Sequence, residues 1–521
     1  MADPADVGGG NRKRILLLGG AAALVLAVVA TALMVGDHFT CGGPGSGVRE
    51  IQGECVGITD GSFEFAEEFE HVSELIRAEN ERIDALDDGR PIVRVAFLGT
   101  LGFEEVGPMD PTRMRGALEG AYTAQIRAND TRAYGDPTPQ IQLVLANMGG
   151  RQGSWGPVVQ DLVAMTQDEE RPLVAVTGLG VSIESTRDVA EELHRHDIPM
   201  VSSAVTADGL AHGPEGIDDA GDEENPALPG VIRVAPSNNE YVKALRSHLE
   251  GLDEPAHAVI VHDQTEPDLF VSTLKSAYDE HLSAYTEGRS VQTYRGTTVG
   301  DTPPAGLFSD VSGNVCATDA DTILFAGRAP DLDAFLDSLR YSVCDRPMRV
   351  LFVSTGMSML NQEEEMRIVD EQDITLVYAT GVDPRWNDAS AGSPGVPEGY
   401  PAFRDAYLEH FGEQDDDLER LANGYALVNH DAVAVAAAAI RMTNEQGSES
   451  VAPRAEAVRD RLMLLNTRNS QVTAGGGTLS YSPESAGEAI GRYVPIVELP
   501  FDADAGPEPQ PHVIAAGEST P

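Results

Sequence analysis

The chain has 521 residues, with 36 lysines and arginines against 84 aspartates and glutamates, and its formal net charge is −48. A chain of this length is too long for one hydrophobic core, so two or more lobes are expected. The acidic charge excludes nucleic acid as an expected partner, because a protein that binds phosphates needs a basic surface.

The N-terminal segment predicts export. The N-terminal segment 1–14 ends in the basic residues Arg12, Lys13 and Arg14, just before the uncharged, proline-free stretch Ile15–Gly36. Residues 15–36 are long enough to form a transmembrane signal anchor, and a basic flank stays cytoplasmic. A cleaved signal peptide is the alternative interpretation, because residues 30–32 have the small-x-small form that signal peptidase accepts. The anchor predicts a single-pass cell-membrane protein whose C-terminal part is extracytoplasmic.

Four cysteines fall into two local pairs, Cys41 with Cys55 and Cys316 with Cys344. Four cysteines allow three connectivities, and sequence proximity in an oxidising compartment favours the local disulfides. The sequence contains no C-x-x-C motif and no Cys/His cluster at metal-ligand spacing, so we expect neither a metal nor a cofactor.

From residue 37 onward the chain alternates between strands and helices. A Gly-rich neck and a solvated helix are predicted over residues 37–90, and disorder is predicted over the Pro/Gly-rich tail 502–521. The predicted strands are Pro91–Leu98, Ile141–Ala146, Leu173–Val176, Ile198–Val201, Ala258–Val261, Val291–Tyr294, Thr322–Phe325, Arg349–Val353 and Ile374–Ala379. The predicted helices are Thr112–Arg127, Ser154–Met165, Arg187–His196, Glu240–Leu252, Asp268–Ala284 and Leu418–Met442, and a closing hairpin is expected over 478–497. This alternation predicts an α/β fold with parallel sheets.

The stretch Arg171–Thr206 is the clearest βαβ unit of the chain. A buried strand ends near Gly178, and Ser182–Thr186 supply hydroxyls where a helix begins. The following strand ends in another hydroxyl cluster, Ser202–Thr206. In parallel sheets ligands bind at the carboxyl ends of strands, although hydroxyls at these positions are also ordinary helix caps.

Several segments, in this order and spacing, resemble the branched-chain amino-acid (Leu/Ile/Val) substrate-binding family of ABC transporters. These are type I periplasmic binding proteins. The segments are VAFLGTLG, LVAVTGLGVSIEST, IPMVSSAVT, VIRVAPSNNEYVKAL, VIVHDQTEPDLF, ILFAGRAPDLDAFL and YALVNHDAVAVAAAAI, spread over roughly Cys55–Leu499.

The resemblance implies two Rossmann-like lobes joined by three crossings and hinged around a cleft. Lobe one would comprise residues 91–232 and 379–472. Lobe two would comprise residues 234–372 and 476–500. The crossings would lie near 233–236, 376–381 and 475–480.

The resemblance also implies a ligand site in lobe one. The loop after the third strand of the family holds the ligand's carboxylate, and its hydroxyls here are Ser182, Ser185 and Thr186. An alanine and a threonine after the next strand match Ala204 and Thr206. A helix N-terminus in this place attracts anions.

Lobe two departs from the family pattern. The acid that would hold the ligand's ammonium is expected at the end of LFVSTG, where this chain has Ser354, Thr355, Gly356 and Met357 instead. Asp263 or Glu266 would have to substitute for it, and both are otherwise solvated loop acids. Arg328 follows a strand end, where it would favour an anionic ligand or else lie on the surface.

The sequence therefore predicts an extracytoplasmic solute-binding protein for a small polar ligand, amino-acid-like or anionic, with an ABC permease as partner. The alternative is a membrane-anchored sensing or interaction ectodomain with a signalling partner. An enzyme is not expected, because the sequence contains no G-x-S-x-G, P-loop or H-E-x-x-H motif.

Overall fold

The computed structural model describes residues 41–43, 45–103, 109–211, 230–265, 268–296, 306–340, 344, 346–354, 373–412, 417–444, 451–482, 485–500 and 505–516. The predicted anchor at 15–36 and the predicted site residues Glu266 and Thr355 lie outside these ranges. Among the described residues, no helix has the length and apolarity to cross a membrane.

Two large sheets organise the chain, and their parallel strands alternate with helices, which confirms the predicted α/β fold. The strands are β1 (Val48–Ile51), β2 (Glu54–Thr59), β3 (Ile92–Gly99), β4 (Gln140–Asn147), β5 (Leu173–Gly178), β6 (Met200–Ser202), β7 (Val231–Arg233), β8 (Ala258–Asp263), β9 (Gln292–Tyr294), β10 (Thr322–Ala326), β11 (Met348–Ser354), β12 (Ile374–Thr380), β13 (Val472–Ala474), β14 (Gly477–Ser480), β15 (Ile490–Val494), β16 (Ile496–Leu499) and β17 (His512–Val513). The helices are α1 (Glu70–Asp84), α2 (Pro111–Asp130), α3 (Trp155–Met165), α4 (Glu184–Arg195), α5 (Asn238–Glu250), α6 (Leu269–Thr286), α7 (Ser309–Ala317), α8 (Ala329–Arg340), α9 (Tyr400–Phe411), α10 (Asp417–Ala422), α11 (Tyr425–Asn444) and α12 (Ala455–Leu462).

The first sheet has the order β1-β2-β4-β3-β5-β6-β7, and the second has the order β16-β12-β11-β10-β8-β9. We call the parts of the molecule built on them lobe one and lobe two. Strands β3 to β7 are parallel in the first sheet, and β8 to β12 are parallel in the second. The chain leaves the first sheet after β7, leaves the second after β12, and rejoins the second at β16.

A third, antiparallel sheet has the order β13-β14-β15-β17. Its first two strands belong to lobe one, because Val472 and Leu479 pack in the core cluster that contains α11. The final change to lobe two comes between β15 and β16, which is later than the predicted crossing at 475–480. The predicted closing hairpin is present as β14 paired with β15.

The segment 37–90 differs from the predicted neck. Its described part forms the hairpin β1–β2, which extends the first sheet, and the helix α1, which packs on that sheet. The helix is anchored because Asn80 is buried and its side-chain amide donates to the Leu143 carbonyl at 2.8 Å. Val72 and Ile76 are also buried, so α1 is a layer of lobe one rather than a solvated helix.

The helix predicted over Leu418–Met442 is two helices, α10 and α11. The chain turns at Gly424, whose φ of 78° is the left-handed conformation that glycine adopts most readily. Asn423 then accepts a hydrogen bond from the Tyr425 amide at 2.9 Å and so caps the second helix. The small residues Gly116 and Gly120 of α2 lie against the start of α11, where Ala426 is their shared neighbour.

The C-terminal tail also differs from the predicted disorder. Residues 505–516 are ordered on the structure, and β17 pairs with β15. Ile514 is buried in the core of lobe two, and His512 contacts Glu240 of α5 at 2.8 Å. Two apolar residues in a polar segment are too short a pattern to predict such a strand.

Both predicted disulfides are confirmed. Cys41 pairs with Cys55, and Cys316 pairs with Cys344, with Cα–Cα distances of 5.0 and 4.9 Å. The first connects the segment before β1 to β2, and the second connects α7 to the segment before β11. Each would stabilise the fold by about 2–4 kcal/mol through its restriction of the unfolded chain.

Candidate ligand site between the lobes

The loop after β5 reaches the carboxyl edge of the first sheet through a sharp turn. Gly178, Leu179 and Gly180 have φ values of 90°, 69° and 74°, all in the left-handed region. A side chain at Gly178 would place its Cβ 2.6 Å from the Leu98 carbonyl oxygen, so only glycine fits there. The turn places Ser182 and the first residues of α4 beside the end of β6.

Ser182 joins the two predicted hydroxyl loops. Its Oγ accepts hydrogen bonds from the backbone amides of Thr206 and Ala207, at 2.9 and 3.1 Å. Thr206 is itself buried, and its carbonyl accepts a hydrogen bond from the Asn238 amide at 2.8 Å. Ser182 and Thr206 are therefore neighbours, as the resemblance implied, while Ala204 lies half-buried in the same loop.

The other two hydroxyls of the β5 loop differ in their surroundings. Thr186 Oγ1 donates to the Val181 carbonyl and accepts from Gln152 Nε2 at 2.9 Å, so this side chain holds the loop together. Ser185 Oγ is buried, and no described residue forms a hydrogen bond with it. A buried hydroxyl without a partner carries a desolvation cost that a ligand could remove.

Two further hydroxyls lie at this edge: Ser202, from the predicted hydroxyl cluster 202–206, and Thr100, which the sequence did not indicate. Thr100 follows β3 and Ser202 ends β6. Both hydroxyl oxygens are buried and have no hydrogen-bond partner in the part of the chain that the structure describes. Strand β5 lies between β3 and β6, with Gly178 paired to Leu98 on one side and to Ser202 on the other. Thr100 and Ser202 therefore flank the β5 loop, and their position at strand ends was the available signal.

Arg233, at the end of β7, forms hydrogen bonds with the loop that contains Thr206. Its Nη1 donates to the carbonyls of Val205 and Ala207, at 3.3 and 3.0 Å, and its Nε lies 3.1 Å from Glu488 Oε1. Burial raises the pKa of Glu488 to about 7, although the charge of Arg233 opposes this shift. The sequence signal for this contact was a charged residue, Arg233, in the otherwise apolar strand β7.

Arg328 lies between the two lobes rather than on the surface. Its Nε and Nη2 donate to the two carboxylate oxygens of Asp268, at 2.7 and 3.0 Å, and its guanidinium lies over the Phe270 ring. Nη2 also donates across the lobe boundary to the carbonyl of Ser182 at 3.2 Å. The Phe270 amide donates to the same carbonyl at 3.2 Å. The structure thus brings Arg328 and Ser182 together.

Asp263 is buried at the end of β8 and is not a solvated loop acid. Its Oδ1 accepts hydrogen bonds from the amides of Thr265 and Gly296, at 2.8 and 2.9 Å. The carboxylate therefore fixes two loops at the carboxyl edge of the second sheet. Asp263 and Arg328 lie at the ends of adjacent strands, because β8 pairs with β10.

A second contact across the lobes lies at Asp208. Its amide donates to Thr273 Oγ1 of α6 at 3.3 Å, and its carboxylate accepts from the Asn239 amide at 3.2 Å. Burial raises the pKa of Asp208 to about 6. Leu269 of α6 packs against the lobe-one core, so the first turn of α6 lies directly on the other lobe.

The kinds of side chain at the lobe boundary indicate what sort of ligand they could hold within the described ranges. Within them, no three histidine, cysteine, aspartate or glutamate side chains converge as they would around a metal ion. The arrangement is instead a set of hydroxyls, backbone amides and one arginine at the boundary of two lobes. Such groups bind a small polar molecule through hydrogen bonds.

Comparisons with known proteins identify the fold. No protein-family model matches the sequence, and no similar curated protein was found. The solved structure of the leucine binding protein LivK from Thermotoga maritima matches with a TM-score of 0.53 and 16% identity, over 81% of this chain and 99% of that one. The branched-chain amino acid transporter substrate binding protein LivJ from Streptococcus pneumoniae, in complex with isoleucine, matches with a TM-score of 0.54 and 15% identity, over 81% and 99%.

An extracellular ligand-binding receptor from Rhodopseudomonas palustris HaA2 matches with a TM-score of 0.55 and 13% identity, over 80% of this chain and all of that one. These identities are low, so the likeness concerns the fold. The matches nevertheless cover nearly the whole of each solved chain. The chain therefore has the type I periplasmic binding protein fold, in the form shared by substrate-binding proteins of branched-chain amino acid ABC transporters.

Proposed function

We propose that the protein captures a small polar solute, amino-acid-like or anionic, between its two lobes for ABC-type uptake. The observation that carries this proposal is the position of Ser182. Its carbonyl contacts two donors of lobe two, while its hydroxyl contacts the Thr206 loop of lobe one. A solute beside this residue would touch both lobes, as capture by closure of two hinged lobes requires.

The groups around Ser182 suit an anionic part of the solute, such as a carboxylate. The N-terminus of α4 has no side-chain cap, so its first amides can donate to a bound anion. The unpaired hydroxyls of Thr100, Ser185 and Ser202 supply further donors at the same edge. Binding of a carboxylate would remove the cost of leaving these hydroxyls unpaired.

The partner follows from the same proposal. The solved structures named above are transporter substrate-binding proteins and ligand-binding receptors, and we propose a non-enzymatic role of this kind here. An ABC permease is then the partner that would receive the solute. A sensing ectodomain with a membrane signalling partner is the alternative for the same ligand site.

We further propose that residues 15–36 anchor the protein in the cell membrane, with the lobes outside the cytoplasm. The expected result is that the full chain stays with membranes after an alkaline carbonate wash. Protease added to cells stripped of their wall should digest the lobes while a cytoplasmic control protein survives. Release of a shortened chain into the wash would instead support the cleaved signal peptide.

A thermal-shift screen of amino acids, amides and small organic acids tests the proposed function. A bound solute should stabilise the folded state by about 2.7 kcal/mol when its concentration is a hundred times its Kd. The melting temperature should therefore rise with the logarithm of the solute concentration. We expect at least one carboxylate-bearing compound to do so. A complete absence of stabilisation across the screen would contradict the proposal.

Thr206 provides the variant test of the ligand site. Replacement of Thr206 by valine keeps the shape of the side chain but removes its hydroxyl, so any solute found should bind at least tenfold more weakly. Replacement by serine keeps the hydroxyl and should retain most of the affinity. Equal binding by the Thr206→Val variant and the parent would show that the site has been misplaced.

Arg328 is expected to hold the lobes together. The Arg328→Gln change removes the bond to the Ser182 carbonyl and leaves the buried carboxylate of Asp268 without its ion-pair partner. We expect a larger radius of gyration in solution scattering and a weaker affinity for any solute. The matched control is Arg289→Gln, because the partner of Arg289 is the exposed Asp319. If both variants scatter like the parent, Arg328 does not control closure.

A further inference from the structure

A cavity of about 1150 Å³ opens on lobe one, away from the candidate ligand site. It is lined by the segments that precede β3 and β4, by the end of α11 and by the loop between α12 and β13. The candidate hydroxyls follow the carboxyl ends of β3, β5 and β6, whereas this cavity lies at the amino ends of β3 and β4. The two therefore lie on opposite edges of one sheet.

Arg441 of α11 lines the cavity, and only 5% of it is exposed. Its Nη2 donates to the Ala128 carbonyl at 3.1 Å, while Nε and Nη1 have no hydrogen-bond partner among the described residues. Three other arginines are buried among the described residues, and each of them forms an ion pair with a carboxylate. These pairs are Arg233–Glu488, Arg420–Glu119 and Arg492–Asp431. Arg441 forms none within the described part of the chain.

The charges beside Arg441 do not replace such a partner. Arg90 also lines the cavity, but its Nε donates to Asp88 at 2.7 Å and its Nη1 donates to the Pro137 carbonyl. Asp136 attracts Arg441 from a largely exposed position. Burial outweighs this attraction and lowers the pKa of Arg441 to about 9, so the guanidinium is still charged at neutral pH. A buried cation without a close anion is costly.

The backbone turn at Gly135 keeps the arginine in place. Gly135 has a φ of 110°, and a Cβ there would lie 2.9 Å from Arg441 Cβ. The turn thus packs on the aliphatic stem of Arg441, which limits how far the guanidinium can move towards solvent.

The cavity also has apolar lining residues, and the loop that carries one of them is held in place. Leu464 is 42% exposed, which is unusual for a leucine in this structure, and Met442 lies beside the cavity as well. The loop that carries Leu464 is held by Ser470, whose Oγ donates to the Leu464 carbonyl at 2.7 Å and accepts from the Thr467 amide at 3.0 Å. A loop fixed in this way needs little rearrangement to accept a ligand.

We propose that this cavity is a second ligand site, which takes a small organic anion. The anionic group of the ligand pairs with Arg441, and its apolar body rests on Leu464 and Met442. The site is independent of the proposed function, because it lies on the other edge of the sheet and shares no residue with the candidate site. Its chemistry selects a carboxylate with a short hydrocarbon chain over a purely inorganic anion.

Isothermal titration calorimetry of the full chain with sodium hexanoate tests this site. Hexanoate should bind, whereas hexanamide, which lacks the charge, and sulfate, which lacks the apolar body, should each bind at least fivefold more weakly. The Arg441→Gln variant should bind hexanoate at least tenfold more weakly, and Arg441→Lys should recover part of the loss. The Thr206→Val variant should bind hexanoate like the parent.

Four results would overturn the proposal. The first is that the parent shows no heat of hexanoate binding, and the second is that hexanoate and sulfate bind equally well. The third is that a folded Arg441→Gln protein binds hexanoate as well as the parent. The fourth is that Thr206→Val loses hexanoate binding, which would place hexanoate between the lobes. If Arg441→Gln does not fold, the Leu464→Ser variant tests the site instead. This change to an exposed side chain should weaken hexanoate binding several-fold and leave sulfate binding unaffected. Hexanoate binding as strong as that of the parent would refute the site.

Discussion

Replacement of Gly120 by alanine is expected to destabilise lobe one severely, although alanine is the better helix former. Gly120 lies in α2 where this helix crosses α11. A Cβ at Gly120 would lie 1.9 Å from the carbonyl oxygen of Ala426 and 2.8 Å from its Cα. Both are backbone atoms, so no side-chain rotation can relieve the clash and the helices must separate.

The expected loss of unfolding free energy is about 3 kcal/mol or more, at the upper end of what overpacked cores show. Denaturant titration followed by circular dichroism measures it. Gly156→Ala in α3 is the matched control, because no atom of the described residues outside its own helix backbone and chain neighbours lies within 4 Å of the added Cβ. This control should leave the stability unchanged or raise it by up to about 1 kcal/mol. Equal stability of the two variants would contradict the close approach of α2 and α11.

Replacement of Asp431 by asparagine should cost about 3–5 kcal/mol, because it breaks a buried ionic junction. Asp431 accepts hydrogen bonds from the amides of Gly475 and Gly476, at 2.7 and 2.9 Å, and from Arg492 Nη1 at 2.6 Å. Arg492 in turn donates to the Gly381 carbonyl at 2.9 Å. The junction therefore ties α11 to the segments that follow β12 and β13.

His430 completes this junction in its neutral form. Burial lowers the pKa of His430 to about 4. Its Nε2 contacts two donors, Arg127 Nη1 at 2.7 Å and Tyr134 Oη at 2.9 Å, so its proton lies on Nδ1, which faces Asp431 at 2.8 Å. Burial raises the pKa of Asp431, but the bond from His430 and the charge of Arg492 outweigh burial and hold the pKa below its usual value.

Denaturant titration of the Asp431→Asn variant tests the junction, with Asp161→Asn as the control. Asp161 pairs with Arg49 at the surface, where both side chains are about two-fifths exposed, so its loss should cost less than about 1 kcal/mol. Addition of Arg492→Met to Asp431→Asn should recover part of the loss, because no unpaired charge then remains. If the two single variants are equally stable, the junction does not hold the lobe together.

Part of the candidate site could be predicted because its signals are local in the chain. The apolar run before Gly178, the glycine that follows it and the hydroxyls at the start of α4 all lie between residues 173 and 186, and they predicted the loop that carries Ser182. The contact between Ser182 and Thr206 followed from adjacent parallel strands. The ion-pair partner of Arg328 could not be predicted, because Asp268 belongs to a different strand–helix unit. Nothing in the sequence distinguishes Asp268 from the other acidic residues, of which the chain has 84 in all.

The sequence by itself determined the α/β alternation, the parallel order of most strands, both disulfides and the position of the hydroxyl-bearing strand ends. These features depend on periodicity and on close spacing, which are properties of short segments. Only the tertiary structure decided that residues 48–59 extend the first sheet, that β17 joins β15, and that Arg441 forms no ion pair with a carboxylate of the described residues. Each of those outcomes depends on which distant segments meet. Arg441 donates a hydrogen bond to Ala128, which is 313 residues away in the sequence, and Asp431 binds Arg492, which is 61 residues away. A buried charge receives its partner from the packing of whole elements, and no local pattern of residues encodes that packing.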